Sequence, residues 1–141
     1  MRCVVDASVA AKWLLPEPYK DKAEKLLRDY IDEKVDLIAP DLIVSEVGNL
    51  LWKRSTLLGE ISRTQASQSY ANFLALGLVL EPSSAFAAEA LRLAAEEHHP
   101  IYDMLYIALA ERNGCEFVTA DEKLVRKLGA RFSLLRWLGG L

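Results

Sequence analysis

Apolar positions along this chain follow two rhythms: short unbroken runs, and longer stretches where apolar side chains return every three or four residues. Cys3-Val4-Val5 is a run of the first kind, as are Asp36 to Pro40, Leu78-Val79-Leu80 and Glu116 to Thr119, and each predicts a short strand. Between them the spacing predicts helices. The first covers Ala7 to Leu15 and is stopped by Pro16 and Pro18. Ala23, Leu26, Leu27, Tyr30 and Ile31 form one stripe of an amphipathic helix over Tyr19 to Lys34. A third runs from Asp41, an expected N-cap, to about Leu58, where Gly59 closes it. Leu42, Ile43, Val44, Val47, Leu50, Leu51 and Trp52 cover almost its whole circumference. Ser62 or Thr64 opens a helix to about Leu76, with Ala66, Tyr70, Phe73 and Leu74 inward. Ser83 or Ser84 caps another to about Glu97. Pro100 starts a strongly apolar helix to about Arg112, ended by Gly114. Asp121 caps a short helix through Leu128. Arg131 to Leu135 adds an edge strand, leaving Trp137 and Gly139-Gly140 as a tail.

Valine-rich runs without polar alternation suit strands buried on both faces of a parallel sheet. Strand and helix alternate throughout, which predicts a three-layer α/β/α sandwich. The 141 residues make about one domain, expected to span 1–141, with no internal repeat or linker. At 52% hydrophobic and 26% charged residues, the composition is that of a folded globular chain, not a disordered or fibrous one. No apolar run approaches the roughly 18 residues that cross a bilayer. Asp6 and Lys12 break the N-terminal apolar stretch, so a signal peptide is not expected and a cytoplasmic location is. A net charge of -3 argues against a general, salt-driven nucleic-acid coat but leaves room for a local basic rim. Cys3 and Cys115 are too few for a zinc site. They are expected to lie near one rim of the sheet as free thiols, with a disulfide the other outcome. His98-His99 has no further His or Cys beside it in the sequence and reads as a solvated helix end. No Gly-rich phosphate loop occurs.

Four carboxylates stand out from this pattern. Asp6 and Asp121 follow the first and fourth strands; Glu46 and Asp103 interrupt apolar helices. Each has an ordinary structural reading: Asp6 and Asp121 as helix caps, Asp103 favoured by a helix N-terminus, Glu46 paired with a cation such as Lys53. Together they carry more weight, because the carboxyl ends of parallel strands share one rim, where ligands of α/β sheets bind. Four carboxylates converging there repel each other unless hard cations are present, and Mg²⁺ or Mn²⁺ with oxygen ligands is the natural occupant.

Val4-Val5-Asp6-Ala7-Ser8-Val9-Ala10, Ser45-Glu46-Val47, Tyr102-Asp103-Met104-Leu105-Tyr106 and Val118-Thr119-Ala120-Asp121 resemble, in order and spacing, the motifs of PIN-domain ribonucleases of the VapC-like toxin type. The resemblance covers essentially the whole chain. It implies a mostly parallel five-stranded sheet and an acidic Mg²⁺ or Mn²⁺ site. It also implies endonucleolytic cleavage of single-stranded RNA, a homodimer or higher homo-oligomer, and a cognate antitoxin. Asp6, Glu46, Asp103 and Asp121 match the family's acidic positions; Ser8 and Thr119 match its supporting hydroxyls.

The expected chemistry is metal-assisted phosphodiester hydrolysis. Asp6, Asp103 and Asp121 hold the cation, Glu46 ligates a second ion or orients the attacking water, and Ser8 and Thr119 brace the carboxylates. Asn49, three residues after Glu46, shares its helix face and is grouped with the supporting residues. Lys12, Lys53 and Arg54 are the candidate substrate contacts, since a single strand needs a basic funnel. Two other readings remain: a catalytically silent PIN-like binding module acting through surfaces around Trp13, Trp52 and Tyr70, and a receiver-like phosphoaspartyl domain. The last would usually carry a second Asp near Asp6, where position 8 is Ser.

Overall fold

The computed structural model describes all residues from Met1 to Leu141. Five strands, β1 (Arg2–Val5), β2 (Asp36–Pro40), β3 (Val79–Glu81), β4 (Glu116–Thr119) and β5 (Leu135–Trp137), form one parallel sheet in the order β3-β2-β1-β4-β5. Seven helices connect them: α1 (Ala7–Leu14), α2 (Lys20–Ile31), α3 (Leu42–Trp52), α4 (Arg63–Ala75), α5 (Ala87–Glu97), α6 (Ile101–Asn113) and α7 (Glu122–Leu128). The chain winds outward from β1 through β2 to β3, then returns to β4 on the other side of β1. Its topological switch point therefore lies between β1 and β4.

Strand side chains alternate faces, and the two faces have separate cores. Val4, Ile38, Phe117 and Leu135 join a cluster of 23 buried residues with α3, α5 and α6. Cys3, Val5, Leu37 and Val118 join a smaller cluster of 8 beneath α2. The larger layer explains the unbroken apolar run of α6: Met104 through Ala110 are all buried, because the helix contacts β1, β2 and β4 while packing along α5. Tyr106 stacks on Phe117 at a centroid distance of 5.4 Å and an interplanar angle of 16°.

Local predictions are corrected at several places, one of them Leu74, expected inward on α4 but half exposed. Residues 131–134 do not form the edge strand: Arg131 and Phe132 both donate backbone hydrogen bonds to the Leu128 carbonyl, turning the chain. Pairing starts only at Leu135, so Trp137 is a strand residue and meets Tyr19 edge-on at 5.4 Å. Asp41 does not cap α3. Its backbone is already helical, and its side chain instead accepts Ser83 N at 3.1 Å and Ser83 Oγ at 2.6 Å, tying the ends of β2 and β3 together. With Ser83 so engaged, 83–85 make a 3₁₀ turn and α5 starts at Ala87 without a side-chain cap. Finally, α3 is not buried all round. Only Ile43, Val47 and Leu51 are buried, Trp52 is half exposed, and residues 53–57 widen into a π turn where Ser55 Oγ donates to the Leu51 carbonyl at 2.8 Å.

Phe117 lies fully buried at the centre of the sheet. Phe117→Ala is expected to lower unfolding free energy by about 3–5 kcal/mol, read from urea denaturation.

Candidate active site

The site grows from the joint between β1 and α1. Asp6 leaves β1 with extended backbone and caps α1, its Oδ1 accepting Ser8 N at 3.1 Å and Val9 N at 3.2 Å. Ser8 Oγ donates to the same Oδ1 at 2.5 Å, and Thr119 Oγ1, from the end of β4, donates to Oδ2 at 2.6 Å. Both hydroxyls are aimed by backbone amides: Ala120 N donates to Ser8 Oγ at 2.9 Å and Asp121 N donates to Thr119 Oγ1 at 3.1 Å. Because each hydroxyl oxygen already accepts an N–H, its proton is directed toward Asp6. The carboxylate is thereby locked across the switch point by both strands that border it.

Asp6 has no cationic partner and is buried at 7% exposure. Burial lifts its pKa from the usual 3.8 to about 6, against the lowering effect of Ser8, Thr119 and the Val9 amide, and the nearby Asp103 carboxylate adds to the rise. Glu46, reached from α3, is likewise raised, first by burial and then by Asp103, while the Tyr106 hydroxyl that donates to it acts in the opposite sense. Burial and the Glu46 carboxylate in turn hold the Tyr106 phenol strongly protonated. Asp103 thus couples electrostatically to both Asp6 and Glu46. Its Oδ2 lies 2.7 Å from His99 Nε2. Asp121 is exposed and caps α7, accepting Leu124 N at 3.1 Å, and joins the site through its own amide on Thr119.

The remaining candidates are placed differently. Glu46 forms no ion pair with Lys53, which is exposed. Asn49 is exposed and its side chain makes no hydrogen bond. Lys12 is buried, and it and Arg54 both pair with Glu17, Lys12 at 3.4 Å; Arg54 also reaches Glu60 at 2.9 Å. His99 is not a solvated helix end: its side chain is 13% exposed, between Asp103 and Lys127. The sequence reading gave no role to Tyr106, His99 or Glu17. Tyr106 carried a usable signal, since it stands three residues after Asp103 on the same helix face, whereas His99 precedes Pro100 outside α6 and meets Asp103 only through the fold of that joint. Glu17, between two prolines, carried none.

No three His, Cys, Asp or Glu side chains are gathered closely enough to cage a metal ion by themselves. The donor chemistry nevertheless fits a hard cation that keeps several waters: every candidate ligand is a carboxylate oxygen, and the most buried one lacks a counter-charge. Cys3 and Cys115 are free thiols beside a cavity of about 550 Å³ at the opposite, amino-terminal edge of the sheet, and burial pushes the Cys3 thiol up to about 12.

A parallel sheet with a hydroxyl-braced acidic site at its switch point defines a class of fold, and comparison with known proteins gives that class its family. The PIN domain family matches residues 3–129. The chain belongs to the PIN-domain family. It is 32% identical over 132 residues to Ribonuclease VapC3 of Pyrobaculum aerophilum, covering 92% of this chain and 97% of that protein. Among solved structures it resembles PAE2754 of Pyrobaculum aerophilum, with a TM-score of 0.68, 28% identity, and 99% and 94% of the two chains covered. It also shares its fold with VapC20 of Mycobacterium tuberculosis, a sarcin-ricin loop cleaving toxin, at a TM-score of 0.66 and 16% identity over 95% and 98% of the chains.

The raised pKa of Asp6 has a definite sign. The native state holds this proton more tightly than the unfolded chain, so unfolding releases it, and stability contributed by the group falls as pH rises from about 4 to above 6. The loss amounts to about 3 kcal/mol for this shift. Urea midpoints in chelator are expected to fall over that range in the wild type, and less steeply in Asp6→Asn.

Proposed function

We propose that this chain is a single PIN-like domain over 1–141 acting as a Mg²⁺- or Mn²⁺-dependent endoribonuclease on single-stranded RNA, the toxin of a toxin-antitoxin pair. The observation that carries this reading is Asp6: a buried carboxylate, locked by two hydroxyls, near enough to Asp103 to feel its charge and with no cation of its own. Family membership and the likeness to Ribonuclease VapC3 support it. Asp6, Asp103 and Asp121 would hold the cation, with water completing its shell. Held there, a hard divalent cation would supply charge neutralisation at the scissile phosphate and a more acidic bound water.

The chain's own groups do the rest. Ser8 and Thr119 keep both Asp6 oxygens in one orientation, so little rearrangement is needed as charge develops. Glu46, with its proton affinity raised by burial, orients the attacking water and takes its proton, while the Tyr106 hydroxyl holds it in place. Lys53, exposed and without an ion pair, is the one substrate-contact candidate left free for the RNA backbone; Lys12 is buried on Glu17 and Arg54 is held by Glu17 and Glu60, so their charges are already neutralised. Exposed Trp52, Leu57, Leu58 and Leu74 supply apolar surface for an antitoxin and for a second copy of the chain. No helix is long and apolar enough to cross a membrane.

Purified protein is expected to cleave single-stranded RNA with Mg²⁺ or Mn²⁺ and to stop when the ion is chelated. Asp6→Asn and Asp103→Asn are each expected to reduce kcat/KM by about 100-fold or more. Wild-type cleavage by either variant sinks the reading. Calorimetry that finds no Mg²⁺ or Mn²⁺ binding favours a silent binding module instead.

A further inference from the structure

His98-His99-Pro100 joins α5 to α6, and its geometry is over-determined. His98 adopts the left-handed conformation at φ 50° and ψ 49°, and His99 N closes back on the Ala94 carbonyl at 3.1 Å, an end that fixes the His99 backbone. Pro100 immediately starts α6. From this joint the His99 ring lies between two helices. Nδ1 is 2.8 Å from Lys127 Nζ on α7, and Nε2 is 2.7 Å from Asp103 Oδ2 on α6. Lys127 Nζ also donates to the His98 carbonyl at 3.3 Å, which steadies the ammonium group. An ammonium has only protons to offer, so Nδ1 accepts and Nε2 carries the hydrogen that is donated to Asp103. Asp103 makes no other side-chain hydrogen bond, so Oδ1 is left without a protein partner.

We propose that His99, set by Lys127, is a positioning residue for Asp103: it occupies Oδ2 and presents Oδ1 toward the acidic site. This rests on the reading of Asp103 as a cation ligand. It parallels the brace that Ser8 and Thr119 give Asp6, but it comes from a helix joint and α7 instead of from strand ends. Partners behind a ligand of this kind typically change metal affinity or activity by about 10–100-fold.

The test is Mn²⁺ binding by calorimetry beside RNA cleavage, for wild type, His99→Ala, His99→Gln, Lys127→Met and Asp103→Asn. His99→Ala is expected to weaken Mn²⁺ binding and lower kcat by about 10-fold or more, with KM for RNA within about two-fold. His99→Gln, which keeps a donor near the Nε2 position, is expected to recover most of both losses. Lys127→Met, at an exposed position, is expected to show a smaller loss in the same direction. Wild-type Mn²⁺ affinity and kcat in His99→Ala, beside a loss in Asp103→Asn, overturns the positioning role alone. The same is true if the loss in His99→Ala is not recovered by His99→Gln. Unchanged Mn²⁺ binding in Asp103→Asn overturns the ligand reading, and this inference with it. Should His99→Ala fail to fold, the comparison passes to His99→Phe against His99→Gln, since both fill the space and only one donates.

Discussion

Everything at the active rim depends on holding one carboxylate, Asp6, out of water without a counter-charge. Burying such a group is unfavourable, and four donors from its own helix start and from the end of β4 only partly offset the cost. The sheet makes this arrangement possible. β1 and β4 are neighbours in register, with Val5 opposite Val118, so the residues that follow each strand meet where the winding direction reverses. Ser8 and Thr119 come from opposite ends of the chain, 111 residues apart, and meet over a single side chain.

The helices are arranged around that post. α6 is apolar on nearly every side because it fills the gap between the sheet and α5, and within it Asp103 and Tyr106 are the polar groups turned to the rim. Tyr106 serves two functions at once: its ring stacks on Phe117 in the core while its hydroxyl reaches Glu46. Core packing and site geometry are therefore linked through one residue. A substitution that loosens the stack also frees Glu46.

Much of this was legible from periodicity. Short unbroken apolar runs predict β1, β2 and β4 within a residue, since a strand covered on both faces must be apolar at successive positions. The four carboxylates stood out because each interrupts such a run or ends it. Capping, edge pairing and burial around α3 were less legible. Asp41 and Ser83 are both good caps in isolation, but they bond each other across 42 residues, and a local signal cannot anticipate a distant competitor. The edge strand slid to Leu135 because Phe132 is needed in the core, which only the fold can require.

The sequence by itself determined the alternation of strand and helix, the parallel three-layer class, and the acidic residues standing at strand ends and inside apolar helices. These follow from spacing, which is a local property. Only the tertiary structure decided how the acidic groups are supported: which hydroxyls brace Asp6, that Tyr106 and not a lysine answers Glu46, that His99 and Lys127 stand behind Asp103, and that Lys12 and Arg54 converge on Glu17. Most of these contacts join residues far apart in the chain. Their partners are chosen by register and packing, and those exist only once the sheet has closed.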